Sequence, residues 1–259
     1  MSEAISQNAL KCSLTPPCPR LRVVAVVLAA GLASRMGGQA KCLLQRDGQT
    51  LLNRLLEALE AAGIDETVLV LGHNADLIQA SLTHQARTHF SKHRAAPMQV
   101  HPVLNPKPAE GQNSSLHLGL AKARTLQAEW VLVALADQPL LEAADLQALI
   151  AAVKASPNGT QMLQPWVEGQ PGNPVMLSQR VMSDLLSHPQ SASSSNTSSP
   201  SSDQIPSLPG GKEWRQMHPE LCHRWPTNNP HYRVDMDTPE DIASLRAQYG
   251  IALSWGSPT

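Results

Sequence analysis

The sequence predicts an α/β protein built on a doubly wound, mostly parallel sheet, and three observations predict it. Val23–Ala29 is an unbroken apolar run rich in Val, the pattern of a strand covered on both faces. Stretches with apolar residues at helical spacing separate it from further short apolar runs. The resulting order, β-α-β-α-β-α-β-α, requires crossover connections, hence parallel strands joined right-handedly.

Taken in order, residues 1–21 contain Pro16, Pro17 and Pro19 without periodicity and read as a flexible tail. The domain is expected over 22–253. Its first strand runs into a glycine-rich turn from Gly31 to Gly38. Thr50–Ala62 carries Leu51, Leu52, Leu55, Leu56 and Leu59 at helical spacing, and Gly63 stops it. Thr67–Leu71 is the next strand, followed by a helix from Asn74. Met98–Leu104 is a third strand, Ser114–Leu126 a helix, and Trp130–Ala136 a buried strand broken by Asp137-Gln138-Pro139. Ala143–Val153 is helical again. Beyond residue 160, Met162–Pro165 and Pro174–Leu177 read as short strands around Gly169–Gly172. Residues 187–210 are rich in Ser and Pro, too poor in apolar surface to order themselves, and read as a disordered insertion. Arg233–Met236 is expected as a strand and Pro239–Tyr249 as a helix.

Composition narrows the function. Among 259 residues, 42% are hydrophobic, but aromatics make up only 3%, with one Phe and two Tyr. Val, Leu, Ile and Ala must therefore build the core, and stacking platforms for single-stranded nucleic acid are lacking. A net charge of −1 offers no basic field for a polyanion. Small-molecule chemistry is favoured, with no nucleic-acid partner. Cys12, Cys18, Cys42 and Cys222 form no C-x-x-C pair, so neither a disulfide framework nor a zinc knuckle is expected. The N-terminus carries Glu3 and lacks the apolar run of a signal peptide. The longest apolar stretch, Val23–Ala30, falls far short of the ~20 residues of a membrane span. A cytoplasmic protein with no membrane partner is the expectation.

Three segments carry candidate chemistry. Leu28 to Lys41 follows the first strand directly, where open α/β sheets bind ligands. Its small residues allow backbone N–H groups close to phosphate oxygens, and Arg35 and Lys41 add two positive charges suited to a triphosphate. It matches neither the Walker A pattern nor G-x-G-x-x-G; an ordinary βα turn with two solvated cations is the alternative. Asp137 ends the strand Trp130–Ala136, where a carboxylate can face the same crevice and hold magnesium, or can simply form a turn. In Asp235-Met236-Asp237-Thr238-Pro239-Glu240-Asp241, helix capping explains Thr238, Pro239, Glu240 and Asp241. It leaves Asp235 and Asp237 unexplained, and crowded like charges there favour a cation. Cys42 beside Lys41 is either a thiol of lowered pKa or a half-buried structural side chain.

Together these segments resemble the molybdenum-cofactor nucleotidyltransferases, the branch of sugar-nucleotide-like NTP transferases that includes the cytidylyltransferase and the guanylyltransferase. The likeness covers roughly residues 23–249. Leu28 to Lys41 is similar to the family's opening pattern L-A-[AG]-G-x-x-x-R-M-G-x-x-K, with one extra residue before the Lys. Asn105-Pro106 through Gly111, Ser114-Ser115-Leu116 and Gly119-Leu120 resembles the cytidylyl-type segment N-P-x-x-x-x-G-x-x-S-S-L-x-x-G-L. Ala136-Asp137-Gln138-Pro139 is similar to G-D-[MQ]-P, Gly169 to Pro174 to G-x-x-G-H-P, and Asp235 to Asp241 to D-x-D-T-P-E-D. Ala136 stands where the family has Gly, and Asn173 where it has His. Ala30, rather than a second Gly, favours the cytidylyl-type branch.

The resemblance implies a Rossmann-like fold of the nucleotide-diphospho-sugar-transferase type and a magnesium-dependent transfer of CMP from CTP to a molybdopterin-type acceptor, giving molybdopterin cytosine dinucleotide. It implies that Leu28, Ala29, Ala30 and Gly31 contact base and ribose. Arg35 and Lys41 would hold the triphosphate, and Asn113, Ser114 and Ser115 would read the base. Asp137 and Asp237 would bind Mg2+, with Asp235 the alternative ligand. A molybdoenzyme of the xanthine-dehydrogenase type is the implied partner. Another small phosphate acceptor such as a sugar or alditol phosphate, a guanylyl- or adenylyl-type homologue, and a chaperone carrying the pterin cofactor remain the alternatives.

Overall fold

Strand β1 (Val23–Ala29) is buried on both faces and divides the core in two. Side chains alternate across a strand, so Val24 and Val26 enter one apolar cluster while Ala25 and Val27 enter another. The computed structural model describes residues 21–86, 96–187 and 208–256. The expected N-terminal tail, up to residue 20, and the Ser/Pro-rich insertion, from 188 to 207, lie outside the described residues.

After β1 come a short hairpin, β2 (Leu44–Arg46) and β3 (Gln49–Thr50), then α1 (Leu51–Ala61), β4 (Glu66–Leu71), α2 (Ala75–Ala86) and β5 (Gln99–Leu104). Helix α3 (Gln112–Thr125), β6 (Trp130–Leu135) and α4 (Ala143–Ala155) follow, each within two residues of its expected limits. Next are β7 (Met162–Val167), β8 (Gln170–Pro171), β9 (Val175–Ser178), α5 (Gln179–Ser187), α6 (Gly211–Met217) and β10 (Cys222–Pro226). Helix α7 (Pro239–Tyr249) and β11 (Ser254–Trp255) close the series.

The main sheet has the order β10-β7-β9-β6-β1-β4-β5, with β8 paired to β7. It is mostly parallel: β4 and β6 flank β1, β5 extends β4, and β10 runs beside β7, while β9 is antiparallel between β6 and β7. Leucines of α1 and α4 cover one face with Ala25, Val27, Leu69 and Leu132. Leu116 and Leu120 of α3, Val181 and Leu185 of α5, and Trp214 of α6 cover the other. The helix-on-both-faces arrangement is the doubly wound fold expected.

Gly119 shows how tightly α3 is seated. A Cβ there would strike Val26 Cγ1 and approach Val70 Cγ2 to 3.1 Å, so only glycine lets this turn of α3 lie on β1 and β4.

One expected element is absent. Residues 234–237 form no strand; Arg233 closes a turn, and the following segment pairs with no strand among the described residues. Met236 N–H donates to the Asp137 carbonyl at 3.2 Å. The segment crosses the carboxyl end of the sheet rather than joining it, and Met236 is buried with Ala33, Met36 and Leu245 in a third apolar cluster. Apolar spacing at 234 and 236 thus reflects packing of a crossing segment. Among the described residues, no helix is long and apolar enough to cross a membrane.

Candidate active site

The chain runs from β1 outward through β4 and β5, then returns to place β6 on the other side of β1. Open α/β sheets bind ligands outside the carboxyl ends of the strands at such a reversal. A cleft of about 480 Å³ lies there, within the usual range of small-molecule sites. The end of β1 and its loop, from Leu28 to Ala33 with Arg35, form one wall, together with Ala40, Lys41 and Cys42. The end of β6 supplies Leu135, Ala136 and Asp137, and Asp235 and Asp237 close the site from the crossing segment. Pro108, Gly111, Gln112 and Ser115 face them from the start of α3.

The glycine-rich loop has a built shape. Ala33 turns left-handed with φ 47°, and its carbonyl accepts from Met36 N–H at 2.9 Å and Gly38 N–H at 3.0 Å. Gly37 and Gly38 then run at φ 66° and 79°, a region glycine enters without steric cost. Met36 and Ala33 anchor the loop in the third apolar cluster, which leaves Arg35 exposed at the rim of the cleft.

Lys41 is the electrostatic centre. Its ammonium donates to Asp237 Oδ1 at 2.5 Å and to Asp137 Oδ2 at 3.4 Å, with only 17% of the side chain exposed. Burial opposes its charge, but the bond to Asp237 and the field of Asp137 outweigh that and hold the pKa above the ordinary lysine value. Burial pushes the Asp137 carboxyl up; Lys41 opposes this, and the nearby Asp235 adds to it. Asp235 is pushed up as well, by burial and then by Asp237. Three carboxylates thus crowd one ammonium, with Asp137 and Asp237 converging on a single point. Cys42 is buried, and desolvation with the Asp137 charge pushes its thiol up to about 12; of the two alternatives for this residue, the structural side chain holds.

The expected site residues divide. Leu28, Ala29, Ala30, Gly31, Arg35, Lys41, Ser115, Asp137, Asp235 and Asp237 all line the cleft. Asn113 and Ser114 do not. Asn113 Nδ2 donates to the Leu208 carbonyl at 2.8 Å, tying α3 to the chain that leads into α6. Ser114 is buried and donates to the Gly111 carbonyl at 2.8 Å. The Asn105 amide donates to both Ser114 and Ser115 hydroxyls at 2.9 Å, so this asparagine and two serines pin the start of α3. Gln112 and Pro108 are cleft residues that the sequence motifs did not single out. The signal for Gln112 was its place directly after Gly111, at the amino end of a helix pointed at the cleft, an end that attracts anions.

The sequence comparison decides the family. Residues 25–199 match the model of the MobA-like NTP transferase domain. The chain belongs to this family of nucleotidyltransferases. A nicotine blue oxidoreductase from Paenarthrobacter nicotinovorans is 34% identical over 136 residues, 52% of this chain and 57% of the relative. This chain thus spans little more than half the length of that relative. Among solved structures, Rv0371c from Mycobacterium tuberculosis H37Rv superposes with a TM-score of 0.62 at 23% identity, over 88% of this chain and 99% of the other. A nucleotidyl transferase from Methanothermobacter thermautotroptrophicus gives a TM-score of 0.62 at 20% identity, over 87% and 96%. At such identities the likeness is one of fold, and it matches the mostly parallel sheet described above.

Proposed function

We propose that this protein transfers CMP from CTP to the phosphate of a molybdenum-bound pterin, releasing pyrophosphate and forming molybdopterin cytosine dinucleotide. The observation that carries the reading is the convergence of Asp137 and Asp237 on Lys41 behind the Leu28–Gly31 loop, at the switch point of a family sheet. Backbone groups of Leu28 to Gly31 bind base and ribose, while Arg35 and Lys41 hold the triphosphate. An acceptor phosphate oxygen attacks the α-phosphorus, the bond from that phosphorus to the bridging oxygen breaks, and pyrophosphate leaves. Positioning and charge neutralisation dominate phosphoryl transfer, and they suffice here without a covalent intermediate. Ser115 reads the base directly. Asn113 and Ser114 act through the placement of the first turn of α3.

The donor set fits magnesium. Two carboxylates already meet at one cation within 3.4 Å, and magnesium favours one or two carboxylates completed by phosphate oxygens and water. Asp137 and Asp237 would hold it, with Asp235 beside them; when bound it neutralises charge on the phosphates. Lys41, relieved of its carboxylates, is then available to the triphosphate.

Ala30 and the Asn105–Leu116 segment support cytosine as the base. The Ala30 methyl alone narrows the pocket by an amount worth at most about 1–3 kcal/mol, and hydrogen-bonding groups on the α3 side add to it. The test is competition of CTP, GTP and ATP at equal concentration with the pterin acceptor, read by product mass. A cytidylylated product favoured at least tenfold is expected. A guanylylated or adenylylated major product refutes the base assignment, and a product only with sugar or alditol phosphates refutes the acceptor.

A further inference from the structure

A second cationic site stands on the same edge of the sheet as the cleft. Arg224 of β10 is level with Gln164 of β7, and its guanidinium lies over the Trp166 ring, 4.6 Å from the centroid. Arg215 of α6 approaches the same ring to 5.9 Å and donates to Gln164 Oε1. Gln164 is itself held, its Nε2 donating to the Gly172 carbonyl at 2.9 Å. Among the described residues, neither guanidinium has a carboxylate partner, and the buried Trp166 Nε1 has no acceptor. Two guanidiniums gathered on one indole without an anion are suited to receive one.

Register gives the distance to the reaction centre. Leu132, Met176 and Leu163 are level across β6, β9 and β7. Trp166 is therefore level with Leu135, two residues short of Asp137. Two strand spacings and two residues of rise separate the backbones by roughly 12 Å. Alternation places Trp166 and Gln164 on the same face as Met162 and α3, the face from which Ser115 lines the cleft. The intervening loop is tied at both ends. Gln138 Nε2 donates to the Asn173 carbonyl at 3.2 Å, and Gly172 N–H to the Pro165 carbonyl at 2.8 Å.

We propose that Arg215 and Arg224, gathered on Trp166, bind the far end of the acceptor. This rests on the transferase reading above. It makes the substrate an elongated acceptor with two electron-rich ends: a phosphate that attacks near Asp137, and a second anionic or planar π-rich group roughly 12 Å away. A short monoanionic phosphate ester reaches only one of the two sites.

Arg215→Gln/Arg224→Gln tests this by kinetics. With the pterin acceptor, its KM rises at least tenfold, while KM for CTP and the melting temperature stay near wild type. An acceptor KM within twofold, or an equal rise in KM for CTP, overturns the proposal. A second measurement does not require turnover. The wild-type protein, saturated with CTP, is treated with phenylglyoxal with and without inorganic phosphate, and modified arginines are mapped by mass spectrometry. Phosphate should slow modification of Arg215 and Arg224 several-fold relative to exposed Arg124 and Arg246. Equal rates at all four overturn the anion site. If phosphate protects but no acceptor yields pyrophosphate, the anion site stands, and the transferase reading and the assignment to its acceptor fall.

Discussion

Lys41 sits in a loop, where a cation is ordinarily solvated and worth little to stability. Here it is mostly buried between Asp137 and Asp237, and that changes what its removal does. Lys41→Ala should raise KM for CTP and lower kcat/KM at least tenfold. It should also cost about 1–3 kcal/mol of stability, because a buried carboxylate is left without its partner. Arg35→Ala, at an exposed position of the same loop, should weaken CTP use with unchanged stability. Denaturant unfolding beside steady-state kinetics checks both; equal stability of the two variants would show that the Lys41 ion pairs contribute nothing. The thiols give a second residue-scale prediction. Burial raises Cys42 to about 12. Burial, countered in part by Arg215, raises Cys222 to about 11. The thiolate is the nucleophile, so in a Cys12→Ser/Cys18→Ser background iodoacetamide should label Cys222 about tenfold faster per pH unit from 8 to 10. Cys42 should stay unlabelled until the protein unfolds. Rapid labelling of either at pH 7 would contradict the buried environments.

At the scale of elements, α3 sets a clear contest of magnitudes. Ala is favoured over Gly in a helix by about 1 kcal/mol, yet a methyl at Gly119 must displace Val26 and Val70. Overpacking of a filled core costs about 1–3 kcal/mol, so Gly119→Ala should destabilise on balance, by up to about 2 kcal/mol. A gain in stability would mean that α3 sits farther from the sheet. Elements whose signal is local were legible in the sequence. Val23–Ala29 had nothing polar to expose, α1 carried leucines at helical spacing, and α7 began with its cap, Thr238-Pro239. Elements defined by long-range packing were not. Helix α5 abuts the Ser/Pro-rich stretch. Helix α6 spans only Gly211–Met217, fixed by one buried Trp214, and β10 reads Cys-His-Arg-Trp-Pro. Helix α6 and β10 carry too little period to stand out; α5 does place Val181, Met182 and Leu185 at helical spacing, but over only nine residues. The same divide runs through the site. The residues placed by strand ends and the glycine-rich loop were readable, whereas Asn113 and Ser114 face away because of partners at Leu208 and Gly111 that no spacing could show.

The whole molecule is joined at the cleft, since its walls come from residues as far apart as Leu28 and Asp237. Asp237 reaches the cleft because the segment carrying it is pinned at Met236, by a backbone bond to Asp137 and by the cluster that also holds the glycine-rich loop. A ligand that binds there binds only the folded chain, and so stabilises all of it by mass action. CTP at a hundred times its Kd contributes about 2.7 kcal/mol. For a domain of this size that raises Tm by about 5–10 °C. Magnesium should add to the shift produced by CTP and do little alone, because without phosphate oxygens it must compete with Lys41 for Asp137 and Asp237. Asp137→Asn separates the two contributions. It should keep the shift from CTP in the presence of EDTA, lose the increment from magnesium, and lose turnover. Scanning calorimetry of both proteins with EDTA, magnesium, CTP, and CTP with magnesium gives the full set. A full magnesium increment in Asp137→Asn, or near-normal kcat at saturating magnesium, would remove this carboxylate from the proposed metal site and leave Asp235 and Asp237 as its acidic ligands among the described residues.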